Sequence, residues 1–333
     1  MNFPAKIMRG MGRGLAGLLQ PRRYARNLLI LHTATYQSLA DWVAVKETIQ
    51  ARAPDIEVRI DSNDAPNPDV CRWQLTRPSL VFSPFRLLSY RPLGGAVYAG
   101  REIGKVAEWR RMVDSGLPVP QTVRLVPELC LESAAWGEYV IVKPVKGLRG
   151  RLVQLVRTEE VGRRYAELSN GGRERMLVQK HIDCVDAENR PSNYRILTMF
   201  GKPLYLTERG WAVPRNSLAE IAADPAGRIA TNTEGVPKCA KLVKTPDVLA
   251  LAQRVAAAFP EIPCLGQDVV RQTGTGELYI LETNPGGAVW HLSSDFANTP
   301  DRDPKYRTER YTQFNALDIV ADQLILKTRA EAS

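Results

Sequence analysis

A predicted β-hairpin in the last third of the chain constrains its folding more than any other stretch. An apolar run begins at Asp268, a glycine-rich turn follows, and a second apolar run leads to Glu282 and, two residues later, Asn284. Two such runs around a glycine-rich turn indicate antiparallel strands. Because side chains alternate between the faces of a strand, Glu282 and Asn284 point the same way, and a paired strand can place Asp268 beside them. The sequence therefore predicts three oxygen ligands on one face of a sheet.

Ligands of this kind suit a hard divalent cation. Mg²⁺ prefers oxygen ligands, keeps some of its waters and usually shares its site with substrate phosphates. We therefore take Asp268, Glu282 and Asn284 as candidate ligands for Mg²⁺, with Mn²⁺ as an alternative. The competing interpretation is a surface hairpin whose acids are merely solvated, and motifs elsewhere in the chain have to decide between the two.

Composition restricts the class of protein. The chain has 333 residues, 44% of them hydrophobic and 24% charged, which is typical of a soluble protein with two or three packed subdomains. Five scattered cysteines without a CxxC spacing indicate neither a disulfide framework nor a zinc site, and they favour a reducing cytoplasm. No apolar run approaches the roughly 20 residues that span a bilayer.

The net charge of +9 is unevenly distributed along the chain. Residues 1–26 carry six basic residues and no acid, so the remainder is close to balanced and no nucleic-acid partner is expected. Apolar residues at near-helical spacing in this extension are compatible with contact to an anionic membrane surface or a partner. Several glycines oppose a helix there, which favours a poorly ordered or self-docked extension.

The first hundred residues after this extension predict a parallel α/β unit. Short apolar runs predict strands, and Trp42, Val45 and Ile49 mark one face of a helix that either Ser38 or Asp41 can cap. A strand, a helix and further strands in this order favour a parallel sheet covered by helices. The predicted elements are strands 27–33, 57–60 and 79–82, helix 42–52 and a loop over 61–69, with a domain boundary near residue 100.

Beyond the boundary, the pattern predicts β-rich structure with a few helices. The predicted elements are helices 105–114, 245–259 and 314–326, strands 122–126 and 176–182, and hairpins over 139–156, 193–208 and 266–284. Residues 210–244 show little periodicity. Within 139–156, a loop with Gly147, Gly150 and several cations can fold over phosphates, although it lacks the P-loop pattern and a plain basic hairpin is the alternative. Arg195 and Arg209 on strands can reach an anionic ligand or remain solvated edge charges.

Taken in this order, the motifs resemble the ATP-grasp superfamily over about residues 100–294. The resemblance is strongest to its carboxylate-amine ligases, such as ribosomal-protein glutamate ligases and D-alanine-D-alanine ligases. Two departures are visible in the sequence. Arg151-Leu152 stands where the lid loop commonly has a further glycine, and Gly266 stands where an arginine frequently precedes the metal aspartate.

The resemblance implies a role for each candidate residue. It implies that two lysines and the lid glycines contact the nucleotide, that a hinge binds adenine, and that an acid, either Asp186, Asp183 or Glu188, holds the ribose. It also implies a set of three metal ligands, and arginines that face phosphate or the acyl intermediate. The residues concerned are Lys105, Lys143, Gly147 and Gly150 for the nucleotide, Gln179, Lys180 and Ile182 for the hinge, Asp186 for the ribose, Asp268, Glu282 and Asn284 for the metal, and Arg195 and Arg209 for catalysis.

The resemblance also implies the architecture. We expect an α/β (α+β) ATP-grasp fold with a basic extension over 1–26, an N-terminal parallel-sheet domain over 27–100 and an ATP-grasp domain over 101–330. The latter would contain a β-rich lid at about 122–182 and a catalytic subdomain, an antiparallel sheet with helices, at about 192–330.

The implied reaction uses ATP and Mg²⁺ to activate a carboxylate as an acyl phosphate and joins it to an amine, with release of ADP and phosphate. The substrates would be small-molecule or peptide carboxylates and amines, and His291 and Ser294, just after the metal set, are candidate contacts to them. A buried tryptophan beside a hydrogen-bonded loop histidine is the other interpretation of that segment. A phosphotransferase and a non-enzymatic basic binding module remain as alternative functions. A homodimer is considered because dimers are common.

Overall fold

The computed structural model describes residues 24–146, 152–224, 227, 229, 235–293 and 304–333. Three β-sheets with associated helices form this part of the chain. The strands are β1 Arg26–His32, β2 Ile56–Ser62, β3 Ser79–Arg86, β4 Ala96–Gly100, β5 Thr122–Arg124, β6 Tyr139–Pro144, β7 Gln154–Arg157, β8 Met176–Lys180, β9 Ser192–Met199, β10 Lys202–Trp211, β11 Lys238–Leu242, β12 Cys264–Arg271 and β13 Leu278–Asn284. The helices are α1 Leu39–Arg52, α2 Pro68–Trp73, α3 Lys105–Asp114, α4 Ser133–Trp136, α5 Tyr165–Leu168, α6 Leu218–Ala223, α7 Pro246–Ala257, α8 Pro304–Thr312 and α9 Ala316–Glu331.

The N-terminal sheet is parallel, with strand order β2-β1-β3-β4, which confirms the predicted α/β unit. β1 is buried along nearly its whole length, as its continuous apolar sequence requires in a sheet with both faces covered. The face of α1 that carries Trp42, Val45 and Ile49 packs into the same core as Val320 and Leu324 of α9. The C-terminal helix is therefore part of the layer that covers the N-terminal sheet.

The second sheet is antiparallel, with order β5-β8-β6-β7, and corresponds to the predicted lid. Val140, Val142, Val156 and Val178 form its core with Trp136 of α4. The predicted strands are present but shorter at their ends, since β5 ends at residue 124 and β8 at residue 180.

The third sheet is also antiparallel, with order β11-β10-β9-β12-β13. The predicted hairpin over 266–284 is confirmed as β12 and β13, and the predicted hairpin over 193–208 as β9 and β10. Val248, Leu251 and Val255 of α7 pack against Ile196 and Val269 on one face of this sheet. These side chains alternate with those that build the site, because neighbouring residues of a strand face opposite ways.

The structure corrects one local prediction, decides one open alternative and adds elements that the sequence analysis did not predict. The region predicted as a loop over 61–69 includes the end of β2, and α2 begins at Pro68 with Asn67 as its cap. Ser38 caps α1 by accepting from the backbone of Ala40, so Asp41 is not the cap. β4, β11 and α6 gave no clear sequence signal, because such short or exposed elements carry little hydrophobic periodicity.

Candidate active site

The β12–β13 hairpin brings the three predicted metal ligands together. Asp268 lies opposite Glu282, and Gly266 lies opposite Asn284, so all four positions share one face of the sheet. The register shifts between Asp268 and Val269, and this β-bulge lies directly beside the site. Asn284 Nδ2 donates a hydrogen bond to Asp268 Oδ2 over 3.3 Å. The amide carbonyl of Asn284, rather than its nitrogen, is therefore the atom suited to a cation.

Asp268 is buried and is held by two arginines. β9 runs beside β12 with Arg195 opposite Asp268, and Arg195 Nη1 donates to Asp268 Oδ2. Arg209 Nη2, from β10, donates to Asp268 Oδ1 over 2.9 Å, and Asn193 Nδ2 donates to the same oxygen over 3.3 Å. With the bond from Asn284, the carboxylate accepts four hydrogen bonds, which is about its full capacity.

The two arginines differ in exposure. The side chain of Arg195 is 9% exposed, whereas that of Arg209 is 35% exposed. Burial is the largest single influence and acts to lower the pKa of Arg195, but attraction to Asp268, Tyr205 and Glu282 together with the hydrogen bond to Asp268 raises the pKa above the ordinary arginine value. Arg195 is thus a fixed partner of Asp268, and Arg209 is the one with a solvent-facing path toward a ligand.

The side chain of Val289 accounts for the glycine at position 266. A Cβ built on Gly266 would lie 3.4 Å from Arg195 Nη2 and 2.5 Å from Val289 Cγ1. The guanidinium from the neighbouring strand therefore lies beside the space that an arginine side chain at position 266 would need. A side chain at this position would have to displace Val289, so the structure leaves no room for an arginine at position 266.

The three candidate ligands fit a hard divalent cation, provided that Asp268 gives up one of its hydrogen bonds. Glu282 has a 40% exposed side chain, and Lys105 Nζ lies 3.9 Å from its Oε2, so this carboxylate is accessible. The carbonyl of Asn284 lies on the same face, and both are ligands that Mg²⁺ accepts. Asp268 joins them once one of its four donors moves. Within the described part of the chain, no three His, Cys, Asp or Glu side chains cluster as metal ligands. The set of Asp268, Glu282 and Asn284 is not such a cluster, since it has two carboxylates and an amide.

A narrow cavity lies beside this face, between the lid sheet and the hairpin. Residues from α3, β5, β6, β8 and β13 line it, among them Lys105, Glu108, Thr122, Lys143, Gln179 and Glu282. Lys143 Nζ donates to Gln179 Oε1 over 3.0 Å and to the carbonyl of Leu281 over 3.4 Å. Burial lowers the pKa of Lys143, although the nearby carboxylate of Glu282 opposes this. Three predicted nucleotide contacts, from Lys105, Lys143 and Gln179, thus meet at one cavity.

Glu108 is a site residue that the sequence analysis missed. It is 4% exposed, and its Oε1 accepts a hydrogen bond from the backbone N–H of Thr283, the residue between Glu282 and Asn284. Burial raises its pKa to about 7, and Glu282 adds to this effect while the bond from Thr283 opposes it. The available signal was its position three residues after Lys105, on the same side of α3.

Two hydrogen-bond donors of the predicted hinge, both from Lys180, already bond to other parts of the protein. The backbone N–H of Lys180 donates to the carbonyl of Gln121 over 2.8 Å, and Lys180 Nζ donates to the carbonyl of Ala135 over 2.8 Å. Neither donor is open to a nucleotide in this arrangement. Ile182 lies two residues further along and is buried.

The candidate ribose acids are all engaged with arginines. Asp186 accepts from the backbone N–H groups of Glu188 and Arg190 and from Arg190 Nε, so its carboxylate closes its own turn. Glu188 pairs with Arg190 over 2.9 Å, and Asp183 pairs with Arg215 over 2.9 Å. This conformation does not single out one of the three for a ribose.

The loop after β13 crosses the carboxyl ends of two strands of the parallel sheet. The carbonyl of Pro285 accepts a hydrogen bond from the backbone N–H of Arg101, and the carbonyl of Gly286 accepts one from the backbone N–H of Arg86. Gly287 has φ +87°, and a Cβ there would lie 2.0 Å from the carbonyl oxygen of Pro84. Ligands of open α/β sheets bind outside the carboxyl ends of the strands, which is where this loop lies.

His291 lies on this loop and is partly exposed. Its carbonyl accepts a hydrogen bond from Arg310 Nη1 of α8. The other predicted substrate contact, Ser294, and the lid glycines Gly147 and Gly150 lie outside the described residues.

Comparison with known proteins supports the fold. No family model matches the chain, and no curated protein matches it at the threshold of the search. Among solved structures, the ATP-grasp ligase PsnB with a phosphomimetic variant of its minimal precursor, Mg and ADP matches with a TM-score of 0.54 and 14% identity, covering 92% of this chain and 99% of that chain. PsnB with precursor peptide PsnA2 and AMPPNP matches with a TM-score of 0.53 and 15% identity, covering 92% and 98%. The chain therefore has the ATP-grasp fold.

In the portion of the chain that the structure describes, no helix combines the length and the apolar character needed to cross a bilayer.

Proposed function

We propose that the protein is a ligase that uses ATP and Mg²⁺ to activate a substrate carboxylate and join it to an amine. The observation that carries this proposal is the meeting of Asp268, Glu282 and Asn284 on one face of the β12–β13 hairpin, next to the cavity that holds Lys105 and Lys143. The fold agrees with it, since PsnB, an ATP-grasp ligase, is described in complex with Mg and ADP.

The nucleotide would occupy the cavity between the lid sheet and the hairpin. Lys105 enters from α3 and Lys143 from β6, so positive charge reaches this cavity from two elements. Fixed cations of this kind stabilise the charge that develops as a phosphoryl group is transferred. Bound Mg²⁺ would supply further charge neutralisation, held by Glu282, Asn284 and Asp268.

Arg195 and Arg209 would have different roles. Arg195 is buried and paired with Asp268, so it fixes the orientation of that carboxylate. Arg209 is more exposed and can exchange Asp268 for an anionic oxygen of phosphate or of the acyl intermediate. Its departure would free one lone pair on Asp268 Oδ1 for the cation.

The acceptor would approach the loop after β13, where His291 and Ser294 are the proposed contacts. This loop follows the metal set directly and lies at the carboxyl ends of β3 and β4, so it can place an amine close to an activated carboxylate. The substrates are small-molecule or peptide carboxylates and amines. PsnB is described with a precursor peptide, which supports including peptides among them.

The test is an assay of ADP and phosphate release with MgATP, a panel of amino acids and short peptides, and hydroxylamine as a general amine. A ligase releases ADP and phosphate in equal amounts and forms a hydroxamate. ADP release with a phosphorylated product and no free phosphate would instead assign a phosphotransferase.

The controls compare two acids of the same hairpin. Glu282→Ala should abolish Mg²⁺-dependent nucleotide binding, whereas Glu277→Ala, in the exposed turn, should leave it unchanged. Failure of the wild-type protein to bind ADP or AMPPNP in the presence of Mg²⁺ would overturn the proposal and favour the non-enzymatic module.

A further inference from the structure

A buried carboxylate lies outside the nucleotide cavity, in the first turn of α1. Asp41 is 6% exposed, and because Ser38 caps the helix, its carboxylate is free to bond elsewhere. Asp41 Oδ2 accepts from Trp290 Nε1 over 2.8 Å and from Ser293 Oγ over 2.5 Å. Asp41 Oδ1 accepts from the hydroxyl of Tyr311 over 2.9 Å.

All three donors belong to the part of the chain that follows β13. Trp290 and Ser293 flank His291 on the loop after β13, and Tyr311 lies on α8. Ser293 is fixed a second time, because its Oγ accepts from the backbone N–H of Ser38 over 2.9 Å. The N-terminal sheet domain therefore holds the loop at both sides of His291.

Packing supports the same arrangement. The indole of Trp290 is 1% exposed, and its ring centroid lies 4.6 Å from that of Trp42, the residue that follows Asp41. The carbonyl of His291 accepts a hydrogen bond from Arg310 Nη1 of α8. Trp290 is thus fixed by a ring contact as well as by its hydrogen bond, while the side chain of His291 stays partly exposed.

The charge of the Asp41 carboxylate suits it to bind the three donors of the loop and α8. An ionised carboxylate only accepts hydrogen bonds, so it can hold an indole N–H and two hydroxyls at once. An asparagine amide has one acceptor oxygen and would turn an NH₂ group toward donors. Hydrogen bonds to a charged acceptor are also stronger than those between neutral groups.

We propose that Asp41 is a positioning residue that fixes the loop of residues 285–293 in the orientation needed for the amine acceptor. This rests on the proposed function in one respect, since it assigns acceptor binding to that loop. Asp41 itself touches neither substrate nor nucleotide. Its loss should weaken acceptor use and leave nucleotide binding intact.

The first test does not depend on the reaction. Hydrogen–deuterium exchange of the peptide covering residues 285–293 is measured in wild type and in Asp41→Asn, together with the affinity for Mg·ADP. We expect exchange in this peptide to rise by about tenfold or more, as loss of hydrogen bonds to a charged group implies, with the Mg·ADP affinity within about twofold of wild type. Unchanged exchange in the folded variant would overturn the proposal.

Two further variants separate positioning from general destabilisation. Tyr311→Phe removes one donor and keeps the ring, so it should give a smaller rise in exchange in a protein that still folds. Asp69→Asn is the matched control, because Asp69 also lies in the first turn of a helix of the same domain but is exposed and pairs with Arg72. It should leave the exchange of the loop unchanged.

The kinetic test uses hydroxylamine as the amine. Asp41→Asn should raise the KM for hydroxylamine by about tenfold and leave the KM for MgATP within about twofold, a split that a general loss of stability would not produce. Equal effects on both KM values would overturn the positioning role. If the wild type shows no hydroxylamine-dependent turnover, the proposed function fails, while the exchange test still decides whether Asp41 holds the loop.

Discussion

The carboxylate of Glu108 accepts a hydrogen bond from the backbone N–H of Thr283, so α3 is fastened to the strand that carries Glu282 and Asn284. β13 is the last strand in the order of its sheet, and its outward N–H groups need partners from elsewhere. Ile280 finds one in the carbonyl of Pro118, and Thr283 finds one in Glu108. β13 and Lys105 of α3 are thus held in one unit.

The first prediction concerns this acid. Burial raises the pKa of Glu108 to about 7, so between about pH 4.5 and 7 the folded protein binds a proton that the unfolded chain releases. Its contribution to stability is therefore lost as pH rises through this window, by up to about 3 kcal/mol. Glu108→Gln keeps an acceptor for Thr283 and should remove this pH dependence.

The measurement is urea unfolding at several pH values between 4.5 and 8. The difference in unfolding free energy between Glu108→Gln and wild type should grow with pH across the window. Glu47→Gln, on the exposed side of α1, is the control and should show no such trend. Parallel stability curves for Glu108→Gln and wild type would contradict the assignment.

The second prediction compares the two arginine partners of Asp268. Arg195→Met leaves a buried carboxylate with one arginine fewer and should destabilise the protein by about 3–5 kcal/mol, the cost of breaking a buried ion pair. Arg209→Met removes a partly exposed partner and should cost about 1 kcal/mol or less. Thermal or urea unfolding of the two variants shows which one is less stable. Equal losses of unfolding free energy would contradict a larger contribution from the buried pair of Arg195 and Asp268.

The third prediction concerns nucleotide binding. Lys143 lies in the cavity between Gln179 and the carbonyl of Leu281, so Lys143→Met should weaken binding of Mg·AMPPNP by about tenfold or more through loss of a charge-assisted contact. Isothermal titration calorimetry measures this affinity. Lys202→Met, at the exposed first residue of β10, removes the same charge away from the cavity and serves as the control. A similar loss in both variants would indicate a nonspecific charge effect.

The fourth prediction uses two adjacent glycines of the loop after β13. Gly287 has φ +87°, and a Cβ there would lie 2.0 Å from the carbonyl oxygen of Pro84, whereas a Cβ on Gly286 would meet nothing within 4 Å. Gly287→Ala should therefore destabilise the protein by about 2 kcal/mol or more, and Gly286→Ala should be close to neutral. Thermal unfolding of the two variants gives the comparison, and equal melting temperatures would contradict the close approach of the loop to β3.

Much of the architecture was predictable because it leaves a periodic signal. The alternation around Asp268 and Glu282 predicted the hairpin and its shared face, and the spacing of Val106, Trp109 and Met112 predicted α3 with the bounds that the structure has. The parallel sheet followed from short apolar runs separated by a helix, and the order of the motifs along the chain carried the resemblance to ATP-grasp enzymes.

The remaining features depend on contacts between distant segments. Glu108 bonds to Thr283 across 175 residues, and Asp41 bonds to Trp290 across 249, so nothing in either local sequence announces the partner. The pairing of Asp268 with both Arg195 and Arg209 depends on strand order in the third sheet, which periodicity does not fix. β11 was missed because four of its five residues are exposed.

The position of α9 has a consequence for biosynthesis. Its side chains Val320 and Leu324 fill the same core as Trp42 and Leu28, which a ribosome makes nearly 300 residues earlier. Until α9 is synthesised, the early strands and α1 therefore expose the apolar surface against which Val320 and Leu324 pack. Nascent chains that lack α9 should therefore depend on chaperones, although every strand of their first sheet has already been synthesised.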